Sequence, residues 1–227
     1  MKTSYYILFS LVFNSLFLVA QPTGAQELGS WQEITISNKL SEKYSFFGAL
    51  TSWSYELPLK RSHLLSAIVG AQYHFNSKTS IGIGYAFGDI DSSFEINDVP
   101  HTKEHRILEQ FGIKHKWHNI SLSQRFRLEH RFLDYQTESI LKHRWRYRFK
   151  STIPINTTFF ISIYDEIHFN LNPFEFQQNR VFSGIGMRLH KNIKAELGYA
   201  RHSFSTKSFN RLSIQLNLKL DSTKLKT

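Results

Sequence analysis

The sequence predicts an all-β protein whose antiparallel strands follow one another around an up-and-down transmembrane β-barrel. Apolar and polar residues alternate with period two along ten successive segments, and no segment shows a convincing helical period. After residue 25, no apolar run reaches the roughly 18 residues that a membrane helix needs. Any further contact with a membrane therefore has to be made by strands.

The first 25 residues are typical of a cleaved secretory signal peptide. Lys2 precedes an apolar run over residues 5–20, and the small residues 23–25 form a cleavage site. Cleavage after Ala20 is the alternative position, and an uncleaved helical anchor is the alternative role. The run is short and Pro22 follows it, which favours the signal peptide. We therefore expect an exported chain.

Composition excludes several classes of chemistry. The 227 residues include no cysteine, so disulfides and Cys-ligated metals are excluded. There are 28 basic and 18 acidic residues, a net charge of +10 that becomes +9 once Lys2 is removed. Such a charge could indicate nucleic acid, but export and the placement of the arginines argue against that partner.

Ten strands are predicted in one barrel domain that spans residues 44–227. Residues 26–43 are either an N-terminal segment or an extra strand, because residues 30–40 alternate only weakly. An extra strand would belong to a twelve-stranded closure. The ten predicted ranges are 44–57, 63–75, 79–88, 104–117, 120–132, 141–150, 157–170, 179–189, 193–204 and 209–220.

Two of these strands have apolar side chains on one face and mostly arginine side chains on the other. In residues 120–132 the apolar parity includes Phe126 and Leu128, and in residues 141–150 it includes Trp145 and Tyr147. The opposite parity carries Arg125, Arg127, Glu129, Arg131, Arg144, Arg146 and Arg148. A soluble barrel or sandwich would turn these arginines to water, whereas a membrane barrel would turn them to its lumen.

Strand length and connection length favour the membrane barrel. Most predicted strands have 10 to 15 residues, enough to cross a tilted apolar band of ~25 Å. The connections at 58–62, 90–103, 134–139, 171–178 and 204–208 are predicted to be longer than those between them, as in outer-membrane barrels. Aromatic residues near strand ends are predicted to form interfacial girdles: Trp53, Tyr55, Tyr85, Phe87, Trp117, Phe132, Tyr135, Phe169 and Phe174.

An ordered set of motifs resembles a known family. The motifs are Trp31, EHRILEQ from Glu104, RFRLEHRF from Arg125, RWRYRF from Arg144, YDEIHFN from Tyr164, QNRVFSGIGMRL from Gln178 and LGYA from Leu197. Together they resemble an uncharacterised bacterial outer-membrane β-barrel family, domain of unknown function family 2490, over nearly the whole mature chain. The resemblance implies the fold and the cell outer membrane, but no activity. The chain departs from outer-membrane barrels at its end, where DSTKLKT follows Leu220 in place of an aromatic terminus.

Twelve charged side chains are the predicted lumen lining. They are Glu104, Arg106, Arg125, Arg127, Glu129, Arg131, Arg144, Arg146, Arg148, Glu166, Arg180 and Arg188. One interpretation is a structural network of salt bridges that fills a narrow barrel. Because nine arginines face three glutamates, the other is a path that binds or passes small anionic solutes. Outer-membrane lipid is the other expected partner. We expect the chain to be a monomer.

Other functions receive less support from the sequence. A lipid hydrolase needs a serine and a histidine side by side, and no His-x-Ser or Ser-x-His triplet occurs on any strand. A pair on neighbouring strands remains the enzymatic alternative to a non-enzymatic barrel. A protein that binds envelope partners through its loops is a further alternative. The acidic loop 90–103 matches no calcium pattern, and we predict no metal site and no cofactor.

Asp165 has an unexpected position for a membrane barrel. It falls on the lipid-facing parity of its strand, where a carboxylate is costly. We expect either a bulge that turns it inward beside Glu166 or a place at the rim.

Overall fold

Eleven strands form a closed barrel in the computed structural model, which describes residue 25 and residues 27–95 and 99–225. The predicted signal peptide therefore lies outside the described residues, apart from Ala25. The strands are β1 (Leu28–Lys39), β2 (Tyr44–Glu56), β3 (Lys60–His74), β4 (Thr79–Ile90), β5 (Thr102–Trp117), β6 (Ile120–Asp134), β7 (Ser139–Pro154), β8 (Phe159–Leu171), β9 (Phe174–His190), β10 (Ile193–Ser203) and β11 (Ser208–Asp221). A short 3-10 helix, Ser222–Leu225, follows β11.

The all-β barrel is confirmed, but the predicted count of ten strands is wrong, and the alternative of twelve is wrong too. Residues 28–39 form β1, which pairs antiparallel with β2 and parallel with β11. With an odd number of strands, the first and last run in the same direction, so the seam between them is parallel. All other neighbours are antiparallel.

The predicted alternation of long and short connections is also wrong. We call the end with connections 57–59, 91–101, 135–138, 172–173 and 204–207 the loop end, and the opposite end, with 40–43, 75–78, 118–119, 155–158 and 191–192, the turn end. Only 91–101 is longer than four residues. The strands extend into segments that the sequence assigned to loops, because ladder hydrogen bonds continue through polar residues as readily as through apolar ones.

The outer wall of the barrel is largely apolar and exposed. Val69, Ile83 and Ile185 expose 62%, 58% and 59% of their surface, and comparable side chains occur on every strand. A contiguous apolar surface of this kind is rare on a soluble monomer. None of the described residues forms a helix long and apolar enough to span a bilayer.

Strand β2 faces the opposite way from its predicted orientation. Trp53 and Tyr55, predicted in an outer girdle, are 3% and 2% exposed and point inward, whereas Phe46 and Leu50 point outward. Both parities of β2 carry large apolar residues, so the pattern alone does not distinguish its faces. Tyr85, Phe87, Trp117, Phe132 and Phe174 do lie exposed on the barrel.

Candidate functional site

A central cavity of about 740 Å³ runs inside the barrel and is strongly basic. Its lining includes twelve lysines and arginines but only three carboxylates, Glu33, Glu104 and Glu166. The basic residues are Arg106, Lys114, Arg125, Arg127, Arg131, Lys142, Arg144, Arg146, Arg148, Lys150, Arg180 and Lys219. The interior therefore attracts negative charge along most of its length.

The two halves of the interior differ in packing. Towards the loop end nearly all inward side chains are buried, among them Leu64, Leu108, Leu133, Phe182 and Phe209. Towards the turn end Ser80 and Phe160 are buried, but many inward side chains are half-buried or exposed: Ser37, Gln72, Lys114, Ser123, Lys150, Asn217 and Lys219. The cavity is thus a vestibule at the turn end that narrows into a packed half.

Glu129 lies at the centre of the charged network on the β5–β8 wall. It is fully buried, and its carboxylate accepts hydrogen bonds from Arg144 Nε at 2.7 Å and Arg146 Nη1 at 2.6 Å. Arg106 and Arg127 approach the same carboxylate at 3.4 and 3.7 Å. A carboxylate without water needs such partners, and here four guanidinium groups surround one.

Two further glutamates extend this network along the wall. Glu104, also fully buried, pairs with Arg106 at 2.9 Å and with Arg131 at 2.6 Å. Glu166 accepts from Arg125 at 2.6 Å and from Arg146 at 2.7 Å. Arg146 therefore joins Glu129 to Glu166, and Arg106 joins Glu104 to Glu129.

Ten of the twelve residues predicted to line the lumen border the cavity. Glu129 lies beneath its arginines, away from the cavity surface. Arg188 lies at the turn end, where it donates to the carbonyl oxygens of Asn156 and Thr157 at 3.2 Å and stacks over Phe160. The structure thus places eleven of the twelve in one contiguous region and puts Arg188 at its edge.

Arg148 differs from its arginine neighbours. Within the described residues it has no carboxylate partner, and its guanidinium lies over the ring of Tyr164, 5.7 Å from the centroid. It is half-buried and borders the cavity. Its charge is therefore available to a solute in the vestibule.

A second buried cluster, which the sequence reasoning missed, fills the opposite wall. Arg211 is 1% exposed and donates to His202 Nδ1 at 3.0 Å and to His63 Nδ1 at 2.5 Å. Trp53 lies between two guanidinium groups, with Arg180 at 4.4 Å and Arg211 at 5.0 Å from its ring. These residues come from five strands, so only the register of the closed barrel could have revealed the cluster.

Aromatic side chains close the loop end over this cluster. Tyr55 donates to Asp91 at 2.8 Å and stacks on His63. Phe94, from the connection 91–101, packs against Phe204 and Phe209. The described part of the longest loop therefore folds onto the barrel mouth.

Glu33 is a lining carboxylate that the sequence reasoning did not select. It lies on β1, and its carboxylate accepts a hydrogen bond from the hydroxyl of Thr51 at 3.3 Å. No cation pairs with it among the described residues. The alternation of Trp31, Glu33 and Thr35 with Ile34 and Ile36 is the signal that could have identified it.

The enzymatic alternative has one structural counterpart. Ser45 Oγ lies 2.8 Å from His74 Nε2 across β2 and β3, on the inner face of the barrel rather than on its outer wall. No carboxylate contacts His74 within the described part of the chain. No group of three or more potential metal-ligating side chains gathers there either.

Asp165 lies on the outer wall, where neither expectation placed it. It is exposed in the middle of β8, opposite Phe149 and Val181, and it accepts a hydrogen bond from Asn179 at 2.5 Å. The bulge in this region falls between His168 and Phe169. That bulge is too far along the strand to turn Asp165 inward.

Comparisons with known proteins agree with this architecture. The NanC porin, solved in a rhombohedral crystal form, is similar with a TM-score of 0.51 at 9% identity, over 80% of this chain and 92% of that chain. At this identity the likeness shows the fold alone, a porin-like barrel. No curated protein matches the chain. The model described as "Protein of unknown function (DUF2490)" matches residues 28–213, which confirms the predicted family. The chain belongs to the DUF2490 family of proteins of unknown function.

Proposed function

We propose that this chain is a non-enzymatic, integral outer-membrane β-barrel with a narrow path that prefers anions. The observation that carries the proposal is the lining of the cavity, where twelve basic side chains accompany three carboxylates. A pore lined by unneutralised positive charge favours small anions, such as carboxylated or phosphorylated solutes.

The outward surface supports the membrane location. Strands of 11 to 17 residues are long enough to cross the apolar band of an outer membrane. Their outer faces expose aliphatic side chains such as Leu50, Leu197 and Val69. One chain closes the barrel and encloses the whole cavity, which agrees with a monomer.

The salt-bridge network supports a narrow path rather than a wide one. Glu104, Glu129 and Glu166 hold seven arginines against the β5–β8 wall and its β9 neighbour. The paired arginines make the wall rigid, because each bidentate contact fixes a guanidinium plane. Arg148 and the lysines of the vestibule remain outside this network and can attract a passing anion.

Two measurements test this proposal. We expect the native chain in outer-membrane fractions, with a gel mobility that changes on heating because the folded barrel resists detergent. We also expect the purified barrel to conduct in planar bilayers with preference for chloride over potassium. Recovery in the soluble periplasm contradicts the membrane location, and clear cation selectivity contradicts the anion path.

A further inference from the structure

We propose that the vestibule binds a zwitterion, a small solute with a carboxylate at one end and an ammonium group at the other. The site is formed by Arg148, Glu33, Tyr164 and Trp31. The inference rests on the proposed function in one respect, that solutes enter the lumen from the vestibule.

The first observation is that two opposite charges face each other across the cavity without a partner. β1 and β7 lie opposite each other, because β7 is five strands from β1 in one direction around the barrel and six in the other. Glu33 on β1 and Arg148 on β7 each lie six residues from the turn end of their strand. Both border the same cavity, both are half-buried, and within the described residues neither has a partner of opposite charge.

The second observation is an aromatic floor that joins the two sides. Trp31, two residues before Glu33 on the same face of β1, meets Tyr164 of β8 edge to face with ring centroids 6.2 Å apart. Arg148 lies over the same Tyr164 ring at 5.7 Å. The contact between Trp31 and Tyr164 thus joins β1 to β8 inside the barrel. Glu33 lies two residues from Trp31 towards the turn end, and Arg148 pairs in register with Glu166, two residues from Tyr164.

The third observation is that the neighbouring charges are already paired. Lys150, the next inward residue on β7, bonds both oxygens of Glu196 at 3.1 Å. Arg125, opposite Arg148 on β6, bonds Glu166. Arg148, which pairs in register with Glu166, and Glu33 therefore remain without a salt bridge of their own among the described lining residues.

This arrangement selects a dipolar solute by charge and by orientation. The planar guanidinium group of Arg148 donates hydrogen bonds to the carboxylate of the solute, and Glu33 accepts hydrogen bonds from its ammonium group. Trp31, buried beside Glu33 against Trp53, Tyr164 and His202, forms the floor of the site. A plain carboxylate leaves Glu33 unpaired and close to a second negative charge, so it binds more weakly than the zwitterion of the same length.

Calorimetry on the folded, full-length barrel in detergent tests the site without requiring conduction. The probes are unbranched ω-amino acids from glycine to 6-aminohexanoate, each compared with the carboxylate and the alkylammonium ion of the same chain length. We expect the best-fitting amino acid to bind about tenfold more tightly than its matched carboxylate, as one charge-assisted hydrogen bond allows. Tryptophan fluorescence gives a second readout because Trp31 forms the floor.

Two neutral variants separate the roles of the charges. Glu33→Gln should weaken amino-acid binding and strengthen carboxylate binding, so that the two probes of each length bind equally well, because the variant removes both the attraction for the ammonium group and the repulsion of the carboxylate. Arg148→Gln should weaken both. Glu42→Gln, in the exposed connection 40–43, and Arg61→Gln, at the exposed start of β3 at the other end of the barrel, are matched controls that should change neither. Heat-dependent gel mobility verifies that each variant is folded.

The outcomes distinguish this site from the proposed pore. Equal affinity for amino acids and carboxylates, or unchanged amino-acid binding in folded Glu33→Gln, overturns the zwitterion site even if the barrel conducts anions. Absence of binding by every probe also overturns it. A barrel that binds amino acids as described but conducts no ions supports the site and contradicts the pore.

Discussion

Arg146 connects Glu129 to the rest of the charged wall through a 2.6 Å contact from its Nη1 atom, while its Nη2 atom reaches Glu166 at 2.7 Å. Glu129 is on β6, Arg146 on β7 and Glu166 on β8, so one guanidinium group ties three strands together. This wall lies between the apolar outer surface of the barrel and the cavity, and in the proposed function its rigidity would limit the width of the anion path.

Replacing Arg146 by methionine should destabilise the barrel. The change keeps the length of the side chain but removes a partner from two buried carboxylates, and breaking a buried pair costs about 3–5 kcal/mol. Urea unfolding in detergent measures the loss. Arg201→Met, on the outer face of β10, is the control and should change the unfolding free energy by less than about 1 kcal/mol. Equal effects of the two substitutions contradict the proposed role.

Glu129→Gln should also destabilise the barrel, because four guanidinium groups then surround an uncharged side chain. The effects of Glu129→Gln and Arg146→Met should not be additive. In a double-mutant cycle we expect a coupling energy of about 1–3 kcal/mol, as for residues in one network. Additive effects would show that the contact contributes little in the folded barrel.

A close approach of β9 and β10 predicts sensitivity to added volume. Gly184 and Gly198 are directly paired, and a Cβ at Gly198 would lie 2.4 Å from the carbonyl oxygen of Ser183 and 2.8 Å from the Phe182 ring. Gly198→Ala should therefore cost about 1–3 kcal/mol of unfolding free energy. Gly88→Ala is the matched control, since its Cβ would meet no atom closer than 3.6 Å. A neutral Gly198→Ala would mean that the strands can separate at this point.

Arg211→Lys should not be a conservative change. A lysine cannot donate to His63 and His202 with the fixed fork of a guanidinium, so one imidazole loses its buried partner. We expect a loss of about 1.5–3 kcal/mol in the same unfolding assay. Arg61→Lys, at the exposed start of β3, should be neutral, and an equally neutral Arg211→Lys would contradict the account of this cluster.

The inward position of the arginines on β6 and β7 could be predicted because residues 125–132 and 141–150 largely alternate between apolar and charged side chains. Leu128 pairs with Trp145, and Arg127 pairs with Arg146. Because side chains alternate between the two faces of a strand, Arg127 and Arg146 must lie on the inner face when Leu128 and Trp145 lie on the outer one. β2 was misoriented because Phe46 and Phe47 make both of its faces apolar. In that strand the orientation is set by pairing with β1 and β3, which the pattern of β2 alone does not contain.

The residues that the sequence reasoning missed depend on closure of the barrel. Glu33 lies on β1, which was not among the ten predicted strands. Its inward position therefore could not be predicted without the pairing of β1 with β11. Arg211 meets His63, which is 148 positions away in the chain. The number of strands and their register determine such contacts inside the barrel. The period-two pattern of a single strand contains neither of these.

Ion selectivity in planar bilayers tests the central claim most directly. Under a potassium chloride gradient, the reversal potential of the native barrel should indicate preference for chloride, because basic side chains dominate the cavity lining. The double variant Arg125→Gln/Arg148→Gln should move that potential towards cations, while Arg61→Gln should leave it unchanged. A native barrel that prefers potassium, or whose selectivity is the same in the double variant, would contradict the account.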